Sequence, residues 1–126
     1  KYNFRINYLG VIKNFNLSAI YNRYKVLILI SKYEGNPKTI LEAMASGCPV
    51  LVNDLGAQNE HPPNRSILPA FDQNAWCAAI EDMHRKWADR GMSVRPIDEE
   101  MIRSAEKRSP STVGVIQASV YDQILQ

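Results

Sequence analysis

Two glutamates stand eight positions apart around an Asn-Pro pair, in the stretch SKYEGNPKTILEAMASG of residues 31–47. Glu34 precedes this pair and Glu42 follows it. Ionised carboxylates only accept hydrogen bonds, and each can take two neighbouring hydroxyl groups, as acidic residues do with ribose in dinucleotide sites. Glutamates are also common as solvated charges on a helix surface. The spacing alone therefore leaves a hydroxyl-binding role and a solvent-exposed role open.

The residues between the two carboxylates have the features of a helix start. Asn36 is a favoured N-cap, Pro37 is favoured at the first helical position, and Gly47 is expected to end the helix. The backbone N–H groups of Lys38 and Thr39 would then lie unpaired at the positive end of the helix dipole, where a phosphate binds well. The Lys38 side chain could assist there or be solvated. The order carboxylate, amide donors, carboxylate matches the order sugar, diphosphate, ribose in a nucleotide sugar.

Short apolar runs alternate with helical segments along the chain, which is typical of an α/β protein with a parallel, doubly wound sheet. We predict strands over residues 5–9, 26–30, 49–52 and 66–68, and helices over 16–24, 37–46, from about 73 onward, 98–107 and 111–125. The run VLILI at 26–30 is expected to be buried on both faces, and Asn16 and Asp72 are candidate helix caps. Because ligands of open α/β sheets bind at the carboxyl ends of strands, the loop after VLILI is the expected site.

This stretch resembles the E-x7-E signature of retaining glycosyltransferases of family 4, which have the two-lobed GT-B fold. The matching pattern is S-x-x-E-G-x-P-x-x-x-L-E-A-M-A-x-G-x-P-V, and the later NDLGAQNE resembles the family's S-D-x-G-G-x-x-E loop. The resemblance extends over roughly residues 4–125 and implies a Rossmann-like C-terminal lobe. It implies that residues 1–126 form the C-terminal portion of the nucleotide-sugar-binding lobe, with the N-terminal acceptor lobe absent.

The resemblance also implies roles for individual residues. Glu34 matches the catalytic-site glutamate that contacts hydroxyls of the donor sugar, and Glu42 matches the glutamate that binds the ribose. The segment that matches the family's sugar- and diphosphate-holding loop consists of Gly35, Asn36, Pro37, Lys38 and Thr39. The family needs no metal ion or other cofactor. The upstream Arg and Lys that neutralise the diphosphate in the family have no counterpart here, so this piece alone is expected to be inactive.

Net charge and hydropathy indicate which kinds of partner and which cellular location to expect. The 15 Lys and Arg residues against 13 Asp and Glu residues give a net charge of +2, and the basic residues are scattered, so nucleic acid is not an expected partner. The longest apolar run is too short to cross a bilayer and the N-terminus lacks a signal-peptide layout. We expect a cytoplasmic protein, with peripheral association at the inner face of the membrane left open. The expected partners are a nucleotide-sugar donor, a glycan or glycoconjugate acceptor and the missing N-terminal lobe.

Two alternatives to a glycosyltransferase remain open at this point. The chain could be a non-catalytic nucleotide-sugar-binding or assembly module, which keeps the pocket without the partner lobe. It could also belong to another GT-B-like enzyme, such as an epimerase.

Overall fold

The computed structural model describes residues 5–35, 37–55, 61–91 and 97–109. Helices and strands alternate along the chain, as the sequence predicts for an α/β protein. The elements are α1 (Asn14–Arg23), β1 (Leu27–Leu29), α2 (Lys38–Ala45), β2 (Val50–Asn53), a 3-10 turn (Asn64–Ser66), β3 (Ile67–Leu68), α3 (Gln73–Ala88) and α4 (Glu99–Glu106). The helix predicted over 111–125 lies outside the described residues. Within the described ranges, no helix combines the length and the apolar character needed to span a membrane.

The three strands form one parallel sheet in the order β1-β2-β3. Leu27 pairs with Val50 at the start of the ladder, and Val52 pairs with Ile67 on its other side. Parallel neighbours need a crossover, which α2 supplies between β1 and β2. The central strand β2 confirms the strand predicted over 49–52, and it is buried along its whole length. The carboxyl ends of all three strands meet at one edge of this Rossmann-like sheet.

Two predictions are wrong, namely a strand over residues 5–9 and burial of both faces of the strand over 26–30. Residues 5–9 form no strand, and Ile6 and Tyr8 are largely exposed. An alternating pattern becomes a strand only when a neighbouring strand takes its backbone hydrogen bonds, and no described strand lies beside this segment. β1 is not buried on both faces, because Ile28 is 42% exposed. β1 is the outer strand of the described sheet, and Leu27 and Leu29 pack against the core.

Of the predicted N-caps of α1 and α3, the first is wrong and the second is correct. α1 begins at Asn14, and Lys13 occupies the N-cap position without a side-chain cap, so Asn16 is not the cap. Asp72, a candidate cap in the sequence, is the N-cap of α3. Its carboxylate accepts hydrogen bonds from the N–H groups of Asn74 and Ala75, both at 3.0 Å. This bond pattern satisfies two donors that a helix start leaves unpaired.

The core lies between the sheet and the pair of helices α2 and α4. The buried residues of α2 recur at helical spacing, which presents one apolar face to β2. The fully buried side chains of this core include Ile40, Met44, Val50, Val52 and Met101. Gly47 ends α2 with a φ of 67°, as predicted, and its C=O accepts a hydrogen bond from the Asp98 N–H at 3.2 Å. This bond links the end of α2 to the start of α4.

Candidate functional site

The candidate site begins where β1 and β2 end. Ser31 follows β1, and its backbone makes two hydrogen bonds to the side chain of Asn53, the last residue of β2. The Ser31 N–H donates to Oδ1 and the Asn53 Nδ2 donates to the Ser31 C=O, each at 2.8 Å. Asn53 is 1% exposed, so its amide is a buried polar group that needs such partners. The pair fixes the first residue of the loop that carries Glu34.

Sequence reasoning did not single out Asn53. The available signal was an asparagine at the end of the apolar run VLVN, because a buried amide must find hydrogen-bond partners. Ser31 becomes the partner of Asn53 only because β1 pairs with β2, and the local sequence does not predict that pairing.

Glu34 lies half-buried on the loop between β1 and α2. Its carboxylate makes no hydrogen bond or ion pair with the residues that the structure describes. Upstream of it, the Ser31 hydroxyl donates to the Tyr33 C=O at 3.1 Å. Gly35 follows Glu34, and a Cβ built on Gly35 would meet no atom within 4 Å. The loop therefore offers an acceptor at Glu34 beside open space at Gly35.

The helix start is displaced by one residue from the prediction. α2 begins at Lys38, and Pro37 takes the N-cap position instead of the first helical position. The predicted cap, Asn36, lies outside the described residues. The Ile40 N–H donates to the Pro37 C=O at 3.0 Å, so the N–H groups of Lys38 and Thr39 precede this bond at the open end of the helix. Among the described carboxylates, none forms an ion pair with Lys38.

Glu42 lies four residues beyond Lys38 on the same face of α2, about 6 Å along the helix axis. It is half-buried, and its Oε2 accepts a hydrogen bond from the Tyr21 hydroxyl on α1 at 3.3 Å. Burial, together with the Glu42 carboxylate, raises the pKa of Tyr21 to about 12. The hydroxyl is therefore protonated and able to donate at neutral pH. The sequence offers no signal for this contact, which joins residues 21 positions apart on two different helices.

A second cavity lies at the opposite edge of the sheet. It has a volume of about 520 Å³ and is lined by Val26 and Pro49, which precede β1 and β2, and by residues of α3 and the start of α4. Lys25 places its Nζ 4.5 Å from the centre of the Trp87 ring there. Since Glu34 and Glu42 do not line this cavity, it is separate from the candidate site. Across the described ranges, no cluster of three or more His, Cys, Asp or Glu side chains is placed to hold a metal ion.

The fold and the site together are typical of a Rossmann-like ligand-binding domain. A parallel α/β sheet carries a helix N-terminus at its carboxyl edge, and two half-buried glutamates flank that helix end. A family model described as glycosyl transferases group 1 matches residues 1–86. The match covers more than half of the chain and includes both glutamates, so the chain belongs to this family. No curated protein matches the sequence.

Proposed function

We propose that this chain is the donor-binding part of a retaining glycosyltransferase, which transfers a sugar from a nucleotide-sugar donor to a polysaccharide or glycoconjugate acceptor. One observation carries the proposal: the open N-terminus of α2 lies between two half-buried glutamates at the carboxyl edge of a parallel sheet. Membership of the glycosyltransferase family supports sugar transfer. The partial burial of Glu34 and Glu42 favours a binding role over that of solvated helix charges.

The proposed donor runs along the loop and the first turns of α2. Glu34 accepts hydrogen bonds from hydroxyls of the sugar, and Glu42 accepts them from the ribose. The diphosphate lies between them, against the N–H groups of Lys38 and Thr39 and the backbone that Gly35 leaves accessible. The helix end and the Lys38 ammonium supply positive charge to the diphosphate. The proposal therefore includes no metal ion or other cofactor.

The proposed chemistry is substitution on one face of the anomeric carbon. The bond from this carbon to the diphosphate oxygen breaks while the acceptor hydroxyl oxygen bonds to the same face. The acceptor proton passes to the departing phosphate oxygen, so the charges balance and the anomeric configuration is retained. Glu34 orients the sugar and stabilises the positive charge that develops on it, and the N-terminus of α2 stabilises the leaving diphosphate.

The proposal assigns the acceptor to a part of the protein outside this chain. Residues 1–126 form the C-terminal portion of the donor lobe, and an N-terminal lobe binds the glycan or glycoconjugate acceptor. We propose a cytoplasmic protein that can associate with the inner face of the membrane. Nucleic acid is not among the proposed partners, in line with the net charge of +2.

Calorimetric titration of the protein with UDP, GDP and dTDP, and with their sugar conjugates, tests the proposal. We expect binding of one of these nucleotides. Glu42→Ala should weaken that binding by roughly tenfold or more, because hydrogen bonds to a charged acceptor contribute about 1.5–3 kcal/mol each. Glu34→Gln should leave nucleotide affinity near the wild-type value and lower the rate of sugar transfer by the protein with its acceptor lobe.

Glu81→Ala is the matched control, because Glu81 is an exposed glutamate of α3. It should bind the nucleotide like the wild type. Unchanged affinity in Glu42→Ala would remove the ribose assignment. If the folded protein bound none of the nucleotides, the chain would instead be a non-catalytic assembly module, and release of a free epimerised sugar would favour an epimerase.

A further inference from the structure

Tyr21 links the last turn of α1 to the glutamate on α2. Tyr21 belongs to the buried core and is 8% exposed, and its hydroxyl lies beside a carboxylate of the candidate site. There the hydroxyl lies 3.3 Å from Oε2 of Glu42. Neither a packing role nor the family match accounts for a buried hydroxyl directed at this carboxylate.

The hydrogen bond from Tyr21 restricts the orientation of the Glu42 carboxylate. A free glutamate side chain has several rotamers, and ordering it on ligand binding costs conformational entropy. A hydroxyl donor at Oε2 holds the carboxylate in one orientation before a ligand arrives. Oε1 and the second lone pair of Oε2 then remain available as acceptors. A vicinal diol needs two acceptor positions in a fixed geometry, and this arrangement provides them.

We propose that Tyr21 is a positioning residue for ribose recognition, which acts by holding the Glu42 carboxylate in the orientation that accepts the two ribose hydroxyls. This inference rests on the proposed function, because it names the residue that makes the ribose end of that site selective. The hydroxyl donates throughout the neutral range, since burial and the neighbouring carboxylate raise the pKa of Tyr21 to about 12.

Tyr21→Phe tests the inference, because it removes the hydroxyl and leaves the ring in the core. Affinities for UDP, GDP and ADP, and for their 2′,3′-dideoxy counterparts, are measured by calorimetry in the wild type, Tyr21→Phe, Glu42→Gln and the double variant. We expect Tyr21→Phe to weaken binding of the bound ribonucleotide roughly three- to tenfold. It should have no effect on the dideoxy form. In the double variant, the loss should be no larger than in Glu42→Gln alone, because the hydroxyl acts through that carboxylate.

Tyr24→Phe is the control, because Tyr24 follows α1 directly and is 39% exposed. It should bind both forms of the nucleotide like the wild type. The thermal unfolding midpoint of each variant is recorded to establish that the core is intact.

Three results would overturn the inference, and they are distinguishable. Wild-type affinity in Tyr21→Phe, with weaker binding in Glu42→Gln, would remove the role of Tyr21 and leave the proposed function standing. An equal loss for ribose and dideoxy nucleotides would assign Tyr21 to the general shape of the site. Absence of nucleotide binding by the folded wild type would overturn the proposed function itself, and the inference with it.

Discussion

Replacing Asn53 with alanine removes the side chain that joins the carboxyl ends of β1 and β2. Two hydrogen bonds disappear at once, and the N–H and C=O groups of Ser31 lose these partners. The remaining alanine also leaves unfilled space at a position that is 1% exposed. The substitution therefore destabilises the fold at the point from which the Glu34 loop departs.

The expected size follows from the burial of the groups involved. A buried polar group left without a partner costs about 1–3 kcal/mol. Ser31 is half-buried, so water replaces part of what its two groups lose, and each cost falls at the low end of this range. Adding the lost packing of the amide, we expect Asn53→Ala to lower the free energy of unfolding by about 2–3 kcal/mol.

Urea unfolding followed by tryptophan fluorescence measures this loss. With a denaturant slope of about 1–3 kcal/mol per molar, the midpoint should fall by roughly 0.7–3 M. Asn74→Ala is the control, because the Asn74 side chain is exposed on the first turn of α3 and only its backbone N–H bonds to Asp72. Equal midpoints in the two variants would refute the reasoning that the Asn53 amide holds the two strand ends together.

Asn53→Asp provides a second test of the same geometry. The carboxylate retains an acceptor for the Ser31 N–H but places its other oxygen against the Ser31 C=O, where a donor is required. Burial raises the pKa of such a carboxyl, and its protonated form can donate as the amide does. The folded variant then binds this proton more tightly than the unfolded chain, so its stability relative to the wild type should improve as pH falls from neutral. A difference that stays constant with pH would contradict the assignment.

Three further predictions concern the glycines and Tyr21. Gly47→Ala should lower the free energy of unfolding by about 1–3 kcal/mol, because φ is 67° and the new Cβ would lie 3.0 Å from Cγ2 of Ile97; an unchanged urea midpoint would contradict this. Gly35→Ala should leave the free energy of unfolding unchanged, since the new Cβ meets nothing within 4 Å. If the diphosphate lies there, the same substitution should weaken nucleotide binding about tenfold, as measured by calorimetry. The folded pKa of Tyr21, about 12, lies above its ordinary value of 10.0, so the stability that this group contributes is present below pH 10 and is lost as pH rises toward 12. Urea midpoints of Tyr21→Phe should therefore fall less over that interval than those of the wild type.

The elements that the sequence predicted well depend on local chemistry. The buried strand β2 is an apolar run next to a proline, and α2 ends at Gly47, whose positive φ is ordinary for glycine. Asp72 caps α3 through bonds to N–H groups two and three residues later. In each case the residues that determine the structure lie within a few positions of one another, so a local pattern contains the information.

The wrong predictions depend on distant parts of the chain. The alternation at residues 5–9 has no described neighbouring strand, and Ile28, in the apolar run that became β1, is 42% exposed. A sequence pattern shows which side chains would face the same way, whereas strand pairing and burial depend on what lies alongside. The candidate site divides in the same way. The motif predicts Glu34 and Glu42 as site residues, whereas the contacts of Tyr21 and Asn53 cross 21 and 22 positions and required the structure.

The two ends of the proposed site are held by different elements. The loop that carries Glu34 is fixed to β2 through Asn53, and the Glu42 carboxylate is held by α1 through Tyr21. A donor that spans both glutamates gains most affinity when their separation is set before it binds, because ordering on binding subtracts from the interaction. The segment between them has the opposite requirement, since a diphosphate must approach the backbone closely. The open space at Gly35 meets that requirement, so the contacts that restrict motion lie at the ends proposed to bind hydroxyls, and the accessible backbone lies where the phosphates would bind.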